Sequence, residues 1–259
     1  MYSPIRLGVV PAASTMTRAD EVWKTEQLAK TFLEGVRGAI PLATEQIEFM
    51  LRVIQKVRPQ VRRFLDLGCG NGILGRAIHT KYPDAKGVLL DFSESMIKAA
   101  KNQQVDKLEN LDFIVQDFGV KSWVDCFREQ DAFDVIVSGF AIHHQPDERK
   151  KEIYQEIYGL LQPGGLFINL EHVSSNSKLL EEAFEELMID SLYAFHRRQG
   201  SQQSKEEIAQ EYYKRPDKSA NILAPIETQC DWLRELGFTQ VDCYMKVFEL
   251  ALFGGVRPE

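Results

Sequence analysis

The chain has 259 residues, 44% of them hydrophobic and 27% charged, and a formal net charge of −7. That length buries a substantial core, and the composition is that of an ordinary globular protein and not of a disordered one. The acidic balance argues against broad attraction to nucleic acid or to an acidic membrane surface, and no apolar run approaches the roughly 18 residues of a membrane span.

Residues 1–19 read as irregular; their short apolar run is broken by Pro11 and preceded only by Arg6, which makes a poor signal peptide. Four cysteines, Cys69, Cys126, Cys230 and Cys243, form no C-x-x-C pair and no zinc-ligand spacing. They point to a reducing compartment, so a cytoplasmic location and no metal are expected. A helix is predicted from Asp20 to Ile40, with Val22, Leu28, Phe32, Leu33 and Val36 at helical spacing. Pro41 starts a second helix that Arg58-Pro59 closes. Residues 1–60 are therefore expected to form a helical segment covering the site, ahead of a main domain over 61–259.

From Val61 short apolar strands alternate with amphipathic helices. The strands are "RRFLDL", "KGVLLDF", "LDFIVQDF", "FDVIVSGF" and "GLFINLEHV", a pattern that predicts an α/β fold with a doubly wound, mostly parallel sheet. "QPGG" at 162–165 reads as a tight turn into the fifth strand. The rhythm breaks after Val173: residues 174–225 are polar and helix-rich, and are expected to be an insertion capping the site. A helix ending at Gly237 then leads into residues 238–255, long enough for two strands or one bent strand.

The chemistry concentrates in "FLDLGCGNGILG", residues 64–75. Gly70, Gly72 and Gly75 spell G-x-G-x-x-G, and Asp91 follows Gly70 by 21 residues, which suits a dinucleotide site. Two details oppose that reading. The strand ends at Leu67 and the first glycine is Gly68, from which Ile73 takes the third glycine's place. The Asp66 carboxylate beside a helix N-terminus disfavours a pyrophosphate there and favours a cation.

Five stretches in order, "FLDLGCGNG", "LLDFSESMIKAA", "FIVQDF", "FDVIVSGFAIHH" and "LLQPGGLFINLEHV", make the chain from Val61 onward resemble the class I S-adenosylmethionine (SAM)-dependent methyltransferases. The resemblance implies a Rossmann-like sheet of seven strands with an antiparallel last strand, for which "KVFELALFGG" is the candidate. It also implies SAM as cofactor and S-adenosylhomocysteine as product. The first motif would contribute Asp66, Gly68, Cys69, Gly70, Asn71 and Gly72 to the cofactor site, with Gly75 left to helix packing. Asp91 would bind the ribose hydroxyls, with Phe92 and Met96 flanking the adenine. Asp117 would accept from the adenine amino group, with Gln116 or Phe118 beside the ring, and Ser138, Gly139 and Phe140 would follow the fourth strand. In relatives of this kind the N-terminal helices fold over the cofactor, which makes Arg37 a candidate for its carboxylate. Plainer roles remain open: Asp91 as a helix cap, Asp117 as a turn residue, Phe92 and Met96 as core, and Cys69 as a small inert residue.

His143 and His144 follow the fourth strand as base or substrate ligand, or as loop residues capping the next helix. His172 beside Glu171 is expected to face the site. His196, Arg197 and Arg198 in the insertion either bind an anionic group or solvate a helix. Tyr193, Phe195, Tyr212, Tyr213 and Trp232 pack helices or line an apolar acceptor pocket. The expected activity is methyl transfer to a small molecule by a monomer or homodimer. The rivals are a tRNA-modifying enzyme, a carboxy-SAM enzyme, or a SAM-binding subunit without catalysis.

Overall fold

The structure, a computed structural model, describes residues 18, 20–21, 37–103, 108–128 and 132–259. Of the helix expected from Asp20 to Ile40, only a turn at Asp20–Glu21 and a short helix at Arg37–Ala39 are described. Residues 22–36, with Val22, Leu28, Phe32, Leu33 and Val36, lie outside the described residues. Helix α1 runs Ala43–Val57 and starts two residues later than Pro41 suggests, because Leu42 takes a left-handed φ of 58°. The Gln46 side chain donates to the Pro41 carbonyl (2.7 Å) and closes that first turn.

Five parallel strands follow: β1 (Arg63–Leu67), β2 (Lys86–Asp91), β3 (Leu111–Val115), β4 (Phe133–Gly139) and β5 (Leu161–His172). They alternate with α2 (Ile73–Lys81), α3 (Glu94–Lys101) and α4 (Asp147–Leu160). The sheet has seven strands in the order β3-β2-β1-β4-β5-β7-β6. Strands β6 (Thr239–Val247) and β7 (Leu250–Val256) are the two strands expected near the C-terminus, and β7 runs antiparallel between β5 and β6. Both faces of the parallel strands are covered, so their apolar runs are continuous instead of alternating. Leu65 and Leu67 join a core with Trp123 and Ile153, while Phe64 joins Met50, Ile54 and Ile78 beneath α1 and α2. Each such side chain contributes about 1.5–3 kcal/mol on burial.

One local expectation fails. "QPGG" is no free-standing turn; it lies within β5, where pairing with β4 jumps from Phe133↔Leu161 to Val135↔Leu166. The left-handed Gly164 (φ 72°) makes this bulge, and the C-terminal end holds it: Gly164 N–H donates to the Arg257 carbonyl and Arg257 N–H to Gly165, at 2.9 and 2.8 Å. The insertion is helical as expected, with α5 (Lys178–Arg198), α6 (Lys205–Lys214) and a 3-10 turn at Pro216–Ala220, before α7 (Ile226–Glu235). Its helix α5 packs against α6 and the Arg37–Ala39 turn. Among the described residues no helix is long and apolar enough to cross a membrane.

At the end of the sheet opposite the glycine loop, Asp134 accepts from the Arg62 and Arg63 backbone N–H groups (2.7 and 2.8 Å) and from the Arg58 guanidinium (2.5 Å). Its side chain is buried, so replacing it leaves several donors without an acceptor. Asp134→Ala is expected to lower the unfolding free energy by about 3 kcal/mol in urea titration.

Candidate functional site

The parallel strands all end at one edge, and β1 and β4 diverge there to the two sides of a crevice, the place where open α/β sheets bind ligands. An open-mouthed cavity occupies this edge. Its floor is the glycine loop. Gly68 and Gly70 adopt φ of 69° and 53°, and a Cβ on Gly68 would lie 2.4 Å from that of Ala141, so this loop tolerates no side chain at that position.

The Asp91 carboxylate, at the end of β2, ties the floor to the wall. Oδ2 accepts from Gly70 N–H (2.8 Å) and Oδ1 from Ser93 N–H (2.9 Å). The helix cap is Ser93 itself, whose hydroxyl accepts from Met96 N–H at 3.5 Å. Burial raises the Asp91 pKa to about 6, against the stabilising backbone donors.

Of the residues singled out in the sequence, Gly68, Cys69, Gly70, Asn71, Asp91, Phe92, Met96, Asp117, Phe118, Gly139, Phe140 and His144 line the cavity. Asp66, Gly72, Gln116, Ser138 and His143 do not. Asp66 is buried beneath the loop, where Oδ2 accepts from Gly75 N–H at the start of α2 (2.7 Å). Gly75 packs there as expected, since a Cβ would meet Asp66 and Leu89 at 3.0–3.2 Å. Gly72 is the left-handed residue that starts α2. The Ser138 hydroxyl donates to the Leu67 carbonyl (2.9 Å), linking β4 to β1. Arg37 belongs to a short helix, and its side chain lies outside the description.

Five lining residues escaped the sequence reading: Asp20, Ile73, Ser93, Ala141 and Gln145. Ile73 and Ser93 adjoin the motifs and were within reach of it. Asp20 was not, because it reaches the cavity from far along the chain: Oδ2 accepts from the Gln145 amide (2.8 Å), 125 residues away.

The two histidines are physically distinct. His144 lines the cavity, and its Nδ1 pairs with the Ala220 carbonyl (3.1 Å). An Nδ1–H donor is the only tautomer compatible with that partner. Burial, then the neighbouring His143, lower its pKa to about 3, so the ring is neutral at physiological pH. His143 lies behind it with Nδ1 at 2.5 Å from Glu171 Oε1. Burial pulls the His143 pKa well down and raises that of Glu171 to about 7, so the pair shares one proton with no net charge on the ring. Around Glu171, Asn169, Tyr154 and Gln229 complete a buried polar chain.

The other candidates fall away from the cavity. His172 pairs with Glu249 (2.9 Å) and packs on Phe184. No residue of 174–225 lines the cavity among the described residues, so His196, Arg197, Arg198 and the aromatics Tyr193, Phe195, Tyr212 and Tyr213 are not on its wall. Tyr212 is stacked by Arg215, and Trp232 is covered by Lys151. The insertion touches the site indirectly: Ile222 N–H donates to the His143 carbonyl (2.9 Å), and the fully buried Lys150 donates to Ile222 and to Asp147.

This sheet order and crevice define the Rossmann-like methyltransferase fold. An O-methyltransferase family protein from Burkholderia thailandensis superimposes with a TM-score of 0.62 at 16% identity, covering 93% of this chain and 63% of that one. Human N-acetylserotonin methyltransferase in complex with SAM gives 0.60 at 16% identity, over 96% and 61%. The family profile described as methyltransferase domain matches residues 61–224, and the chain belongs to that family. By sequence, malonyl-[acyl-carrier protein] O-methyltransferase 2 of Ilyobacter polytropus is 33% identical over 109 residues, 42% of this chain and 39% of that protein. The carboxy-S-adenosyl-L-methionine synthase of Nautilia profundicola is 23% identical over 230 residues, 88% of this chain and 91% of that protein. The chain thus spans well under half of the first relative, under two thirds of both solved chains, and nearly all of the synthase.

Cys69 lines the cavity yet is nearly buried, and that burial, reinforced by Asp91 and Asp66, pushes its thiol pKa well up. The thiolate is the reactive form, so iodoacetamide is expected to label Cys69 in the folded protein at less than about a tenth of its rate in the unfolded chain. Peptide mass spectrometry after timed quenching measures this.

Proposed function

We propose that the cavity binds SAM and that the protein transfers its methyl group to a small-molecule acceptor. The observation that carries this reading is the Asp91 carboxylate, set at the carboxyl end of β2 between the glycine loop and an apolar wall. The residues fit the cofactor. Asp91 would hold the ribose hydroxyls, Phe92, Met96 and Phe118 the purine faces, Asp117 the amino group, and the backbone at Gly68–Gly70 the methionine portion.

When bound, the cofactor supplies a methyl on a sulfonium with a good leaving group. The protein's part is to align the acceptor and exclude water, which is worth roughly 7–11 kcal/mol of barrier. His144 is the residue placed to meet the acceptor. With Nδ1 committed to Ala220, Nε2 is the accepting nitrogen; a pKa of about 3 makes it an orienting hydrogen-bond acceptor and a weak proton sink. That favours acceptors that are nucleophilic with little help: a neutral amine, a thiolate, a carboxylate or an acidic hydroxyl. His143 and Glu171 sit behind His144 and hold it in place. The protein works in this reading in the cytoplasm, as a monomer or homodimer, with residues 1–60 and 174–225 flanking the methyltransferase core.

A second reading has one observation in its favour. Relatives named carboxy-S-adenosyl-L-methionine synthase align along 88–90% of this chain and 91–97% of their own length. Mass spectrometry of ligand carried through purification separates the two: SAM or S-adenosylhomocysteine supports methyl transfer, and a species heavier by one carboxyl supports the other.

Asp91→Ala and Gly70→Val are each expected to abolish calorimetric SAM binding while the chain remains folded by circular dichroism; unchanged affinity in both removes the site. Protonation of Asp91 costs it an acceptor oxygen, and its raised pKa of about 6 sets where this happens. SAM affinity should therefore hold from about pH 8 to 7 and fall about tenfold by about pH 5.

A further inference from the structure

The cavity's nucleoside end carries a connection that methyl transfer does not require. Asp117 Oδ1 accepts from Gly119 N–H (2.8 Å), and Oδ2 accepts from the Arg18 guanidinium (2.7 Å), 99 residues distant. Arg18 Nε donates onward to Asp20 Oδ1 (3.1 Å), and Asp20 Oδ2 accepts from the Gln145 amide (2.8 Å). Asp117, Asp20 and Gln145 all line the cavity. Arg18 thus closes a continuous polar bridge from the end of β3 to the loop after β4, across one rim.

We infer that Arg18 is an affinity-determining residue, a clasp that joins Asp117 to Asp20 across one rim of the nucleoside end and slows cofactor exchange. The inference rests on the SAM reading of the cavity.

The physical case is one of charge and space. Asp20 is 4% exposed, and a carboxylate that buried, beside the carboxylate of Asp117, is costly without a cation. Among the described residues Arg18 is the cation contacting both, with Nε to Asp20 and Nη2 to Asp117, two separated donors that the single ammonium of a lysine does not reproduce. Space has been left for it: a Cβ on Gly119 would fall 2.0 Å from Arg18 Nη1, so the guanidinium lies on the bare Cα of that glycine. With Oδ1 and Oδ2 each given a donor, Asp117 is held in one orientation, and a purine amino group meets a fixed acceptor instead of a rotating one. Since Arg18 and Asp20 precede the sheet in the chain while their partners stand on its edge, exchange of a bound nucleoside past this rim requires the bridge to open.

The test measures S-adenosylhomocysteine on the full chain, by calorimetry for Kd and by competitive displacement in stopped flow for the dissociation rate. Arg18→Ala is expected to raise both about tenfold and to lower the thermal midpoint, since Asp20 loses its cation, while the far-ultraviolet circular dichroism at the assay temperature stays that of the parent. Arg18→Lys should recover only part of the loss. Added salt should speed dissociation from the parent more than from Arg18→Ala. An unchanged dissociation rate in Arg18→Ala, or tighter binding, overturns the clasp, the second by making Arg18 an obstruction. Asp91→Ala distinguishes the two levels: if it leaves binding intact the cavity assignment itself fails, whereas loss in Asp91→Ala with no change in Arg18→Ala fails the clasp alone.

Discussion

The rest of the site depends on the buried carboxylate of Asp91 and the two backbone N–H groups it holds. β2 delivers it to the carboxyl edge of the sheet, where one oxygen anchors Gly70 and the other Ser93. A loop with three left-handed glycines has a high conformational entropy when free, and this carboxylate restricts it to one path. The same group is left at the cavity wall with a pKa near 6, because burial resists its charge and the donors only partly compensate. Structural tie and ligand-facing acceptor are one side chain.

Around that anchor the molecule orders its polar groups in depth. Asp66 and Ser138, which stand at strand ends, turn inward to hold α2 and to link β4 with β1. The second tier is the His143–Glu171 pair with Asn169, Tyr154 and Gln229, linked by hydrogen bonds that offset most of their burial, with the Asn169 Oδ1 left without a partner. The outermost members, among them His144, Asp91, Asp117, Asp20 and Gln145, wall the cavity. The insertion acts from behind: its return stretch at Ala220–Ile222 meets both histidines and the buried Lys150, and so sets the tautomer of His144 without touching the cavity.

The local signals were legible where they depended on neighbours in the chain. Continuous apolar runs marked all five parallel strands, Gly237 marked the end of α7, and the glycine register from Gly68 marked the loop that became the cavity floor. Errors arose where distant partners intervened. Asp66 and Ser138 sit within matching motifs yet point under the loop, because a strand end exposes alternate residues to the crevice and motif order does not say which. "QPGG" has the composition of a turn, but the backbone of Arg257 offered it a β-bridge, and it became a bulge. His172, next to Glu171 in sequence, is drawn away by Glu249.

The sequence by itself determined the alternation of strand and helix, the glycine loop, the acid at the end of β2 and the acidic character of the ligand site. Each follows from side-chain periodicity or from residues within one turn of one another. Only the tertiary structure decided that β7 lies between β5 and β6, that His144 and not His143 meets the cavity, and that Arg18 and Asp20 reach across to Asp117 and Gln145. Those outcomes turn on hydrogen bonds and charge pairs between groups as many as 125 residues apart, and no local spacing encodes which distant donor a buried acceptor will find.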